Sequence, residues 1–390
     1  MKKTITVLTA TRAEYGLLRP IIKALQRCEE FCVKVVATGA HLSPEFGFTY
    51  KEIEQDGIEL DKKIEILVSS DTAVSISKSM GLAMISFSEY FEESRPDALI
   101  VLGDRYETLA VCIAAMNMNL PIIHLYGGET TEGAVDEAIR HSITKMSYLH
   151  FTSTEQYRKR VIQLGEDPER VFAVGAVGVE NIKKMKLLSK KELEKSISFS
   201  LDKPYAIITF HPVTLEEGKA GTQCGEILKA LDLHKEMKYI FTKANADAGG
   251  RIINDMIDEY ILSHDNAVAF QSLGTLRYLS ALKYAEIVIG NSSSGLLETP
   301  SFHIPTINIG NRQKGRIQAE SVINCSPICN EICQAIDLAL SKKFLNIAHN
   351  AINPYGDGNT SDRIAEILKR SFCMNNINLK KKFCDIDFKV

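Results

Sequence analysis

Short runs of valine, isoleucine and leucine alternate with longer segments of helical apolar spacing along the whole chain. Most runs are continuously apolar, which is typical of strands covered by helices on both faces. The segments between them, such as 17–28 and 105–116, place apolar residues three and four positions apart, as helices do. The pattern predicts strands at 4–10, 33–38, 98–102, 121–125, 150–152 and 172–174, then at 205–210, 238–242, 268–270, 287–289 and 306–309.

The two sets of strands predict two domains. A chain of 390 residues exceeds one ordinary core. We therefore expect an α/β fold of two doubly wound, Rossmann-type domains, with the break between Gly175 and Lys203, where 183–201 is charged and helical in pattern. The expected first domain covers 1–176 and is completed by the segment 361–390, which includes most of a last helix predicted at 360–372. The second covers 177–360.

Composition excludes several classes of function. The apolar fraction of 45% and the charged fraction of 24% are those of a globular protein. A net charge of -3 gives no reason to expect nucleic acid or an anionic membrane as partner. No segment has the apolar length of a membrane span, and Met1-Lys2-Lys3 leads into a strand, so we expect a cytoplasmic protein.

The nine cysteines form no CxxC pair. Cys325, Cys329 and Cys333 recur every four residues without a nearby histidine, which suggests one helix face of buried thiols and not a metal site. We expect free thiols throughout.

Carboxylates follow two of the predicted central strands. Asp104 comes directly after 98–102, and a double glycine with four acids in nine residues follows 121–125. The carboxyl ends of parallel strands are where open α/β sheets place their ligands. Solvated loops also carry acids, but two strand ends that deliver acids to one place favour acid/base chemistry.

The second half of the chain carries an anion-binding pattern. The segment 289–298 ends a strand with a glycine and three serines and then begins a helix, whose free N–H groups suit a diphosphate. An ordinary serine N-cap would give the same pattern. Glu298, His211, Asn245 and Arg312 follow strand ends in the same half. There is no GxGxxG or GxxxxGK[ST] motif, and Arg12 either clamps a phosphate or pairs with Glu14 on the surface.

Taken in order, these segments resemble the hydrolysing UDP-N-acetylglucosamine 2-epimerases of sialic-acid and related nonulosonic-acid biosynthesis. Each motif is weak alone, whereas the ordered set is specific and runs from residue 11 to 316. The matching segments are Thr11-Arg12-Ala13-Glu14-Tyr15, Gly103-Asp104-Arg105, Gly127-Gly128-Glu129, Asp136-Glu137, Ile139-Arg140-His141, His211-Pro212-Val213-Thr214, Gly290-Asn291-Ser292-Ser293-Ser294-Gly295 and Arg312-Gln313-Lys314-Gly315-Arg316.

The resemblance implies a GT-B-like pair of Rossmann-type domains with the nucleotide sugar in the inter-domain cleft. It implies hydrolysis of UDP-N-acetylglucosamine to UDP and N-acetylmannosamine, without nicotinamide, required metal or other cofactor, by a homodimer or homotetramer. Asp104, Glu129, Asp136 and His211 become candidate catalytic residues. The candidate contacts to the UDP-sugar are Arg12, His41, Arg105, Asn245, Ser272, Ser292, Ser293, Glu298 and Arg312.

One position departs from the family pattern. Many relatives have a carboxylate or histidine where this chain has Tyr126, and a tyrosine of ordinary pKa near 10 is a poor base. Glu129 or Glu132 then takes over, or Tyr126 shapes the sugar pocket.

The sequence is also compatible with three further functions. The substrate could be UDP-N,N'-diacetylbacillosamine, on the route to legionaminic acid, because a change from a hydroxyl to an acetamido group at C4 alters the pocket only locally. The same architecture could also serve a glycosyltransferase, although the acids after 121–125 speak against one. A nucleotide-sugar binder without catalytic activity is the third possibility.

Overall fold

The computed structural model describes residues 2–68, 72–130, 135–212, 218–244, 250–374 and 377–387. The chain divides into two compact units: the first runs to Glu180 and resumes at Tyr355, and the second runs from Asn181 to Pro354. These boundaries fall later than residue 176 and earlier than residue 361, the limits expected from the sequence.

The first unit is built on a sheet of seven parallel strands in the order β3-β2-β1-β4-β5-β6-β7. The order reverses between β1 and β4, which is the switch point where doubly wound sheets bind ligands. The strands are β1 Lys3–Thr9, β2 Phe31–Thr38, β3 Leu60–Ile64, β4 Ala98–Leu102, β5 Ile122–Leu125, β6 Leu149–Thr152 and β7 Val171–Ala173.

Helices cover both faces of this sheet, so each face has its own apolar core. The last helix, α15, packs against the first, α1. The helices are α1 Arg12–Gln26, α2 Tyr50–Gln55, α3 Ala73–Ser94, α4 Tyr106–Asn117, α5 Asp136–Met146, α6 Glu155–Gln163, α7 Val177–Lys184, which spans the unit boundary, and α15 Thr360–Lys369.

The second unit has a sheet of six parallel strands in the order β10-β9-β8-β11-β12-β13, with its switch point between β8 and β11. Its strands are β8 Tyr205–Thr209, β9 Lys238–Thr242, β10 Ala267–Phe270, β11 Ile287–Gly290, β12 Thr306–Ile309 and β13 Val322–Cys325. Its helices are α8 Lys190–Ile197, α9 Ala220–Asp232, α10 Gly250–Ser263, α11 Gly274–Tyr284, α12 Ser294–Leu297, α13 Cys329–Leu340 and α14 Lys342–Asn350.

The α/β class and the two doubly wound sheets are confirmed, whereas several local predictions were wrong. Two edge strands, β3 and β13, were missed; β3 reads LDKKI and has no apolar run. The helical stretch 183–201 is two helices, α7 and α8, with a break before the capping residue Ser189. Cys325 lies on β13, so the three cysteines do not share one helix face. In the described part of the chain, no helix is both long and apolar enough to cross a membrane.

Candidate functional site

A buried arginine gathers carboxylates at the carboxyl ends of β4 and β5. Arg140 on α5 is 2% exposed and donates to the Asp104 carboxylate. Its Nη1 donates to the Glu129 carbonyl oxygen and to Glu137 Oε2, each at 2.8 Å. A buried cation needs paired charges, and these groups supply them. We call Asp104, Glu129, Glu137 and Arg140 the acid cluster.

The double glycine explains how Glu129 reaches this place. Gly128 has φ +78°, and a Cβ on it would collide with the carbonyl of Tyr157 on α6. Only glycine allows the loop to pack so tightly there. Glu129 is then 8% exposed, and its Oε1 accepts a hydrogen bond from Ser153 at 2.8 Å. The carboxylate is therefore held in one orientation.

Asp136 and Glu137, which are neighbours at the start of α5, differ in their exposure and contacts. Asp136 is exposed at the first position of α5. Glu137 is the residue that contacts Arg140, and its Oε1 also lies 3.2 Å from His141 Nε2. Successive helical residues point about 100° apart, so only one of the two can face the cluster. The structure thus places Glu137 in the acid cluster, and Asp136 outside it.

A second charge group, with two buried glutamates and a more exposed arginine, lies at the switch point between β1 and β4. Arg105 donates to both Glu107 oxygens at 2.9–3.2 Å, and its Nε lies 4.0 Å from Glu14 Oε1. Glu14 Oε2 accepts from the backbone N–H groups of Ala10 and Thr11, which forms a capping box for α1. Burial raises the pKa of Glu14 to about 7, against the opposing effects of these N–H groups and Arg105. Among the described residues, Glu14 Oε1 has no hydrogen-bond partner.

Two candidate ligand residues of the first unit have protein partners instead. Arg12 pairs with Glu52, its Nε 3.0 Å from the carboxylate, and so forms a surface ion pair with a partner other than Glu14. His41 is fully buried, with its ring nitrogens 2.9 and 2.8 Å from the hydroxyls of Thr9 and Thr49. Burial lowers the pKa of His41 to about 4. Both nitrogens of His41 thus have partners within the protein, and its role as a ligand residue stays a prediction.

The loop after β5 is fixed by two aromatic rings. His124 is fully buried, its Nε2 is 2.8 Å from the Gly103 carbonyl, and burial lowers its pKa to about 3. Its neutral ring joins the β4 and β5 loops. The Tyr126 hydroxyl accepts a hydrogen bond at 2.8 Å from the backbone of Val177, where α7 begins. Glu132, the other acid considered, lies outside the described residues.

In the second unit, His211 follows β8 at the switch point. It is 7% exposed, and burial, assisted by the positive charge of Arg312, lowers its pKa to about 4. Its imidazole is therefore neutral near pH 7. Its backbone N–H donates to Asn291 Oδ1 at 2.7 Å, and Asn291 Nδ2 donates to its carbonyl at 2.8 Å. Asn291 lies directly after β11, so this pair joins the two strands at which the order reverses.

The serine segment forms one turn of helix and not the longer helix that the sequence suggests. The helix α12 has four residues and is followed by the 3₁₀ turn Thr299–Phe302, so a macrodipole contributes little there. Ser294 Oγ donates to Glu298 and accepts from the Tyr278 hydroxyl at 2.7 Å. Burial raises the pKa of the half-buried Glu298 carboxyl. Ser292 and Ser293 precede this turn and are partly accessible.

The structure places the three remaining candidate residues of the second unit differently. Arg312, after β12, donates to the Asn291 carbonyl at 3.1 Å and so lies with His211. Ser272 is exposed before α11, where its hydroxyl accepts from Gly274 N at 3.1 Å. Asn245 lies outside the described residues. No group of three or more histidine, cysteine or carboxylate side chains in the described part of the chain could hold a metal ion.

Four residues of these sites were not singled out from the sequence: Glu14, Glu137, Arg140 and Asn291. Arg140 and Glu137 were visible only as members of a motif, since nothing in the sequence distinguishes a buried arginine from a surface one. The available signal was the i,i+3 spacing of Glu137 and Arg140, which places them on one helix face.

Comparisons with known proteins identify the family. The family model described as UDP-N-acetylglucosamine 2-epimerase matches residues 23–369. A GDP/UDP-N,N'-diacetylbacillosamine 2-epimerase (hydrolyzing) of Campylobacter jejuni is 44% identical over 390 residues, covering 99% of this chain and 100% of the relative. The polysialic acid biosynthesis protein P7 of Escherichia coli is 40% identical over 390 residues, covering 99% of this chain and 98% of the relative.

A solved structure gives the same fold. The UDP-GlcNAc 2-epimerase of Neisseria meningitidis bound to UDP-GlcNAc is 21% identical, with a TM-score of 0.81 over 94% of this chain and 100% of that one. At this identity the likeness shows the fold, which is GT-B-like. The match of the family model over most of the chain, together with relatives above 30% identity over its whole length, shows that the protein belongs to the hydrolysing UDP-N-acetylglucosamine 2-epimerase family.

Proposed function

We propose that this enzyme hydrolyses a UDP-activated 2-acetamido sugar and inverts its C2, releasing UDP and a free manno-configured sugar. The observation that carries the proposal is the acid cluster, in which Arg140 contacts the carboxylates of Asp104 and Glu137 and the backbone carbonyl of Glu129. A reaction that removes a proton from one face of C2 and returns it to the other needs two acid/base groups. A glycosyltransferase usually needs one base and an acceptor surface.

Departure of UDP is the first step in this proposal. The C1–O bond breaks, its electron pair goes to the β-phosphate oxygen, and positive charge develops at C1. His211, Arg312 and the serines 292 and 293 are proposed to stabilise the departing diphosphate, because donors held in place act most strongly where charge develops. The neutral His211 imidazole donates a hydrogen bond in this role, and Arg312 supplies the positive charge.

Proton transfer at C2 follows. The charge at C1 acidifies the C2–H bond, a carboxylate of the acid cluster takes the proton, and a 2-acetamidoglucal with a C1–C2 double bond results. Water then adds its hydroxyl at C1, a second acid of the cluster delivers a proton to the opposite face of C2, and the remaining proton of that water restores the second acid. The first carboxylate releases the proton that it took to solvent. We assign this work to Asp104, Glu129 and Glu137, with Glu137 in the place that the sequence suggested for Asp136. Arg140 holds the carboxylates of Asp104 and Glu137, whereas Ser153 holds that of Glu129.

For the sugar, we propose UDP-N,N'-diacetylbacillosamine, which has an acetamido group at C4. The support is the relative at 44% identity, which is named for that sugar and is matched along its whole length. UDP-N-acetylglucosamine is the second candidate, supported by the relative at 40% identity that is named for polysialic acid biosynthesis, since N-acetylmannosamine is the matching product. UDP-N,N'-diacetylbacillosamine as the substrate would place the enzyme in legionaminic-acid biosynthesis, and UDP-N-acetylglucosamine would place it in sialic-acid biosynthesis. In either case we propose that it acts in the cytoplasm.

Initial rates with the two UDP-sugars and with the GDP form of the first test this choice. Release of UDP or GDP is followed together with the NMR spectrum of the free sugar. We expect kcat/KM to be highest for the 4-acetamido sugar carried by UDP. Higher kcat/KM with UDP-N-acetylglucosamine would reverse the substrate assignment while keeping the reaction. Binding of each UDP-sugar without release of nucleotide would show a binding protein and would end the enzymatic proposal.

A further inference from the structure

The carboxyl ends of β8 and β11 approach so closely that no side chain fits between them. Gly290 pairs with Thr209 in the ladder, has φ +136°, and would collide with the Thr209 backbone if it carried a Cβ. The next residue, Asn291, donates its backbone N–H to the Thr209 carbonyl at 3.0 Å. Since only glycine permits this approach, Asn291 is delivered to one fixed place at the switch point.

The Asn291 side chain continues the hydrogen bonding between the two strands beyond the end of the sheet. Its Oδ1 accepts from the His211 backbone at 2.7 Å, and its Nδ2 donates to the His211 carbonyl at 2.8 Å. The residue is fully buried, so water could not replace a hydrogen bond that was lost. Both ends of the amide are therefore committed to the backbone of His211.

The Asn291 carbonyl oxygen holds a third strand end. It accepts from Gln313 Nε2 at 2.8 Å and from Arg312 Nη1 at 3.1 Å. Gln313 is 2% exposed and comes, like Arg312, from the loop after β12. We call His211, Asn291, Arg312 and Gln313 the Asn291 cluster. One residue thus connects the loops that carry the two groups assigned above to the departing diphosphate.

The His211 ring is held against its ordinary preference for water. Its Nδ1 is buried and has no partner among the described residues. Burial lowers the pKa of the ring to about 4, and the charged group that faces it is Arg312. The two hydrogen bonds between Asn291 and the His211 backbone fix the position of the residue that carries this ring.

We propose that Asn291 is a positioning residue, which orients His211 through its side chain and Arg312 through its carbonyl, so that both face the same diphosphate. The inference rests on the proposed function only where it names that ligand. Asn291 itself is fully buried, with both ends of its amide bonded to the backbone of His211. Its effect on catalysis is carried entirely by the two residues that it holds.

Replacement of Asn291 tests this proposal. Asn291→Ala should weaken binding of UDP, measured by calorimetry, by about 5- to 100-fold, the range for leaving buried hydrogen-bonding groups unpaired. In the same variant, NMR titration of ¹³C-labelled histidine should show the pKa of His211 rising toward the ordinary value of about 6.5. His211→Gln identifies the resonance. Asn291→Asp, which keeps the size but loses the donor toward the His211 carbonyl, should also weaken UDP binding.

Asn308 provides a matched control in the same sheet. It is 3% exposed, lies on β12, and donates to Asn324 Oδ1 on β13 at 2.8 Å. Asn308→Ala should therefore lower the free energy of unfolding, while UDP affinity stays within about twofold and the pKa of His211 is unchanged. A merely structural role for Asn291 would make the two alanine variants alike.

The outcomes separate this inference from the proposed function. A folded Asn291→Ala with native UDP affinity and an unchanged His211 pKa would overturn the inference, as would equal effects from Asn308→Ala. If Asn291→Ala does not fold, native UDP affinity of Asn291→Asp would overturn it. If the wild-type enzyme bound no UDP, the proposed function would fail, and the pKa of His211 would still decide whether Asn291 positions the ring.

Discussion

The acid cluster of the first unit and the Asn291 cluster of the second are built with opposite electrostatics. In the first, carboxylates surround a buried guanidinium, and the hydrogen bonds that join them are between charged groups. In the second, the central residue is a neutral amide that bonds to backbone, and the histidine it holds is uncharged near pH 7. Both lie at the carboxyl ends of central strands in doubly wound parallel sheets.

The proposed function accounts for this difference. Groups that transfer protons must change charge during the reaction. A fixed cation beside them stabilises several carboxylates close together, and each of them stays able to accept or donate a proton. Groups that hold a departing diphosphate must keep one orientation and donate hydrogen bonds throughout. A neutral asparagine can fix the orientation of such groups without adding a negative charge that would repel the diphosphate.

The largest effect is expected from the acids themselves. Asp104→Asn, Glu129→Gln and Glu137→Gln each remove a candidate acid/base group at nearly constant size. Each should lower kcat by about 10²–10⁴, the usual contribution of general acid/base catalysis, while UDP affinity changes little. Asp136→Asn is the matched control, because Asp136 is exposed on the same helix turn, and it should stay within about threefold of wild type. A large loss from Asp136→Asn with none from Glu137→Gln would exchange their roles.

Replacement of the buried Arg140 should lower the free energy of unfolding as well as the activity. Arg140→Met removes the donor shared by Asp104, Glu137 and the Glu129 carbonyl, and loss of a partner by such partly buried acceptors costs about 1–3 kcal/mol. The free energy of unfolding, from urea titration, measures this. Arg251→Met on the exposed surface of α10 controls for the loss of an arginine and should change it by under about 0.5 kcal/mol. Unchanged stability of Arg140→Met would contradict the central place given to Arg140.

Much of the fold was predictable, because the central strands are continuous apolar runs that stand out in the sequence. The edge strand β3 was not, since its sequence LDKKI is mostly exposed and its pairing with β2 decides its structure. The site was predictable as a region and less so as a set of side chains. His41 looked like a ligand residue, but the hydroxyls of Thr9 and Thr49, on a distant strand and in a nearby loop, take both of its nitrogens.

Variants of the residues proposed to hold the diphosphate should change UDP binding and not proton transfer. Arg312→Ala removes a charged donor and should weaken UDP binding by about 10- to 100-fold, whereas Ser293→Ala removes a neutral one and should cost about fivefold. Calorimetry with UDP measures both. Arg251→Ala, a surface arginine of the same unit, should leave the affinity as it is. Full affinity in both site variants would remove these residues from the nucleotide site.

The smallest expected effect is on how the free energy of unfolding depends on pH through Glu14. Its pKa is raised to about 7 in the folded protein, above its ordinary value of 4.5, so the folded state binds more protons between these two values. The stability that this group contributes is therefore complete below about pH 4.5 and is lost as pH rises to about 7. Glu14→Gln should remove this loss, so the variant gains on wild type by about 1 kcal/mol or more between pH 5 and 8 in urea titrations.

Glu52→Gln is the control for Glu14→Gln, because Glu52 is a carboxylate on the surface of the same unit, 43% exposed in its side chain. It should follow the pH dependence of the wild type. Parallel stability curves for wild type and Glu14→Gln between about pH 5 and 8 would show that Glu14 is ionised normally in the folded protein.

Solvent deuterium tests the central claim most directly, which is that the enzyme removes the C2 proton of the sugar and replaces it from the opposite face. The enzyme is incubated in D₂O with UDP-N,N'-diacetylbacillosamine and, separately, with UDP-N-acetylglucosamine, and the released sugar is examined by NMR. We predict a manno-configured free sugar that carries deuterium at C2 in every molecule formed from the accepted substrate. Released sugar that keeps its protium at C2, or that keeps the gluco configuration, would contradict the claim.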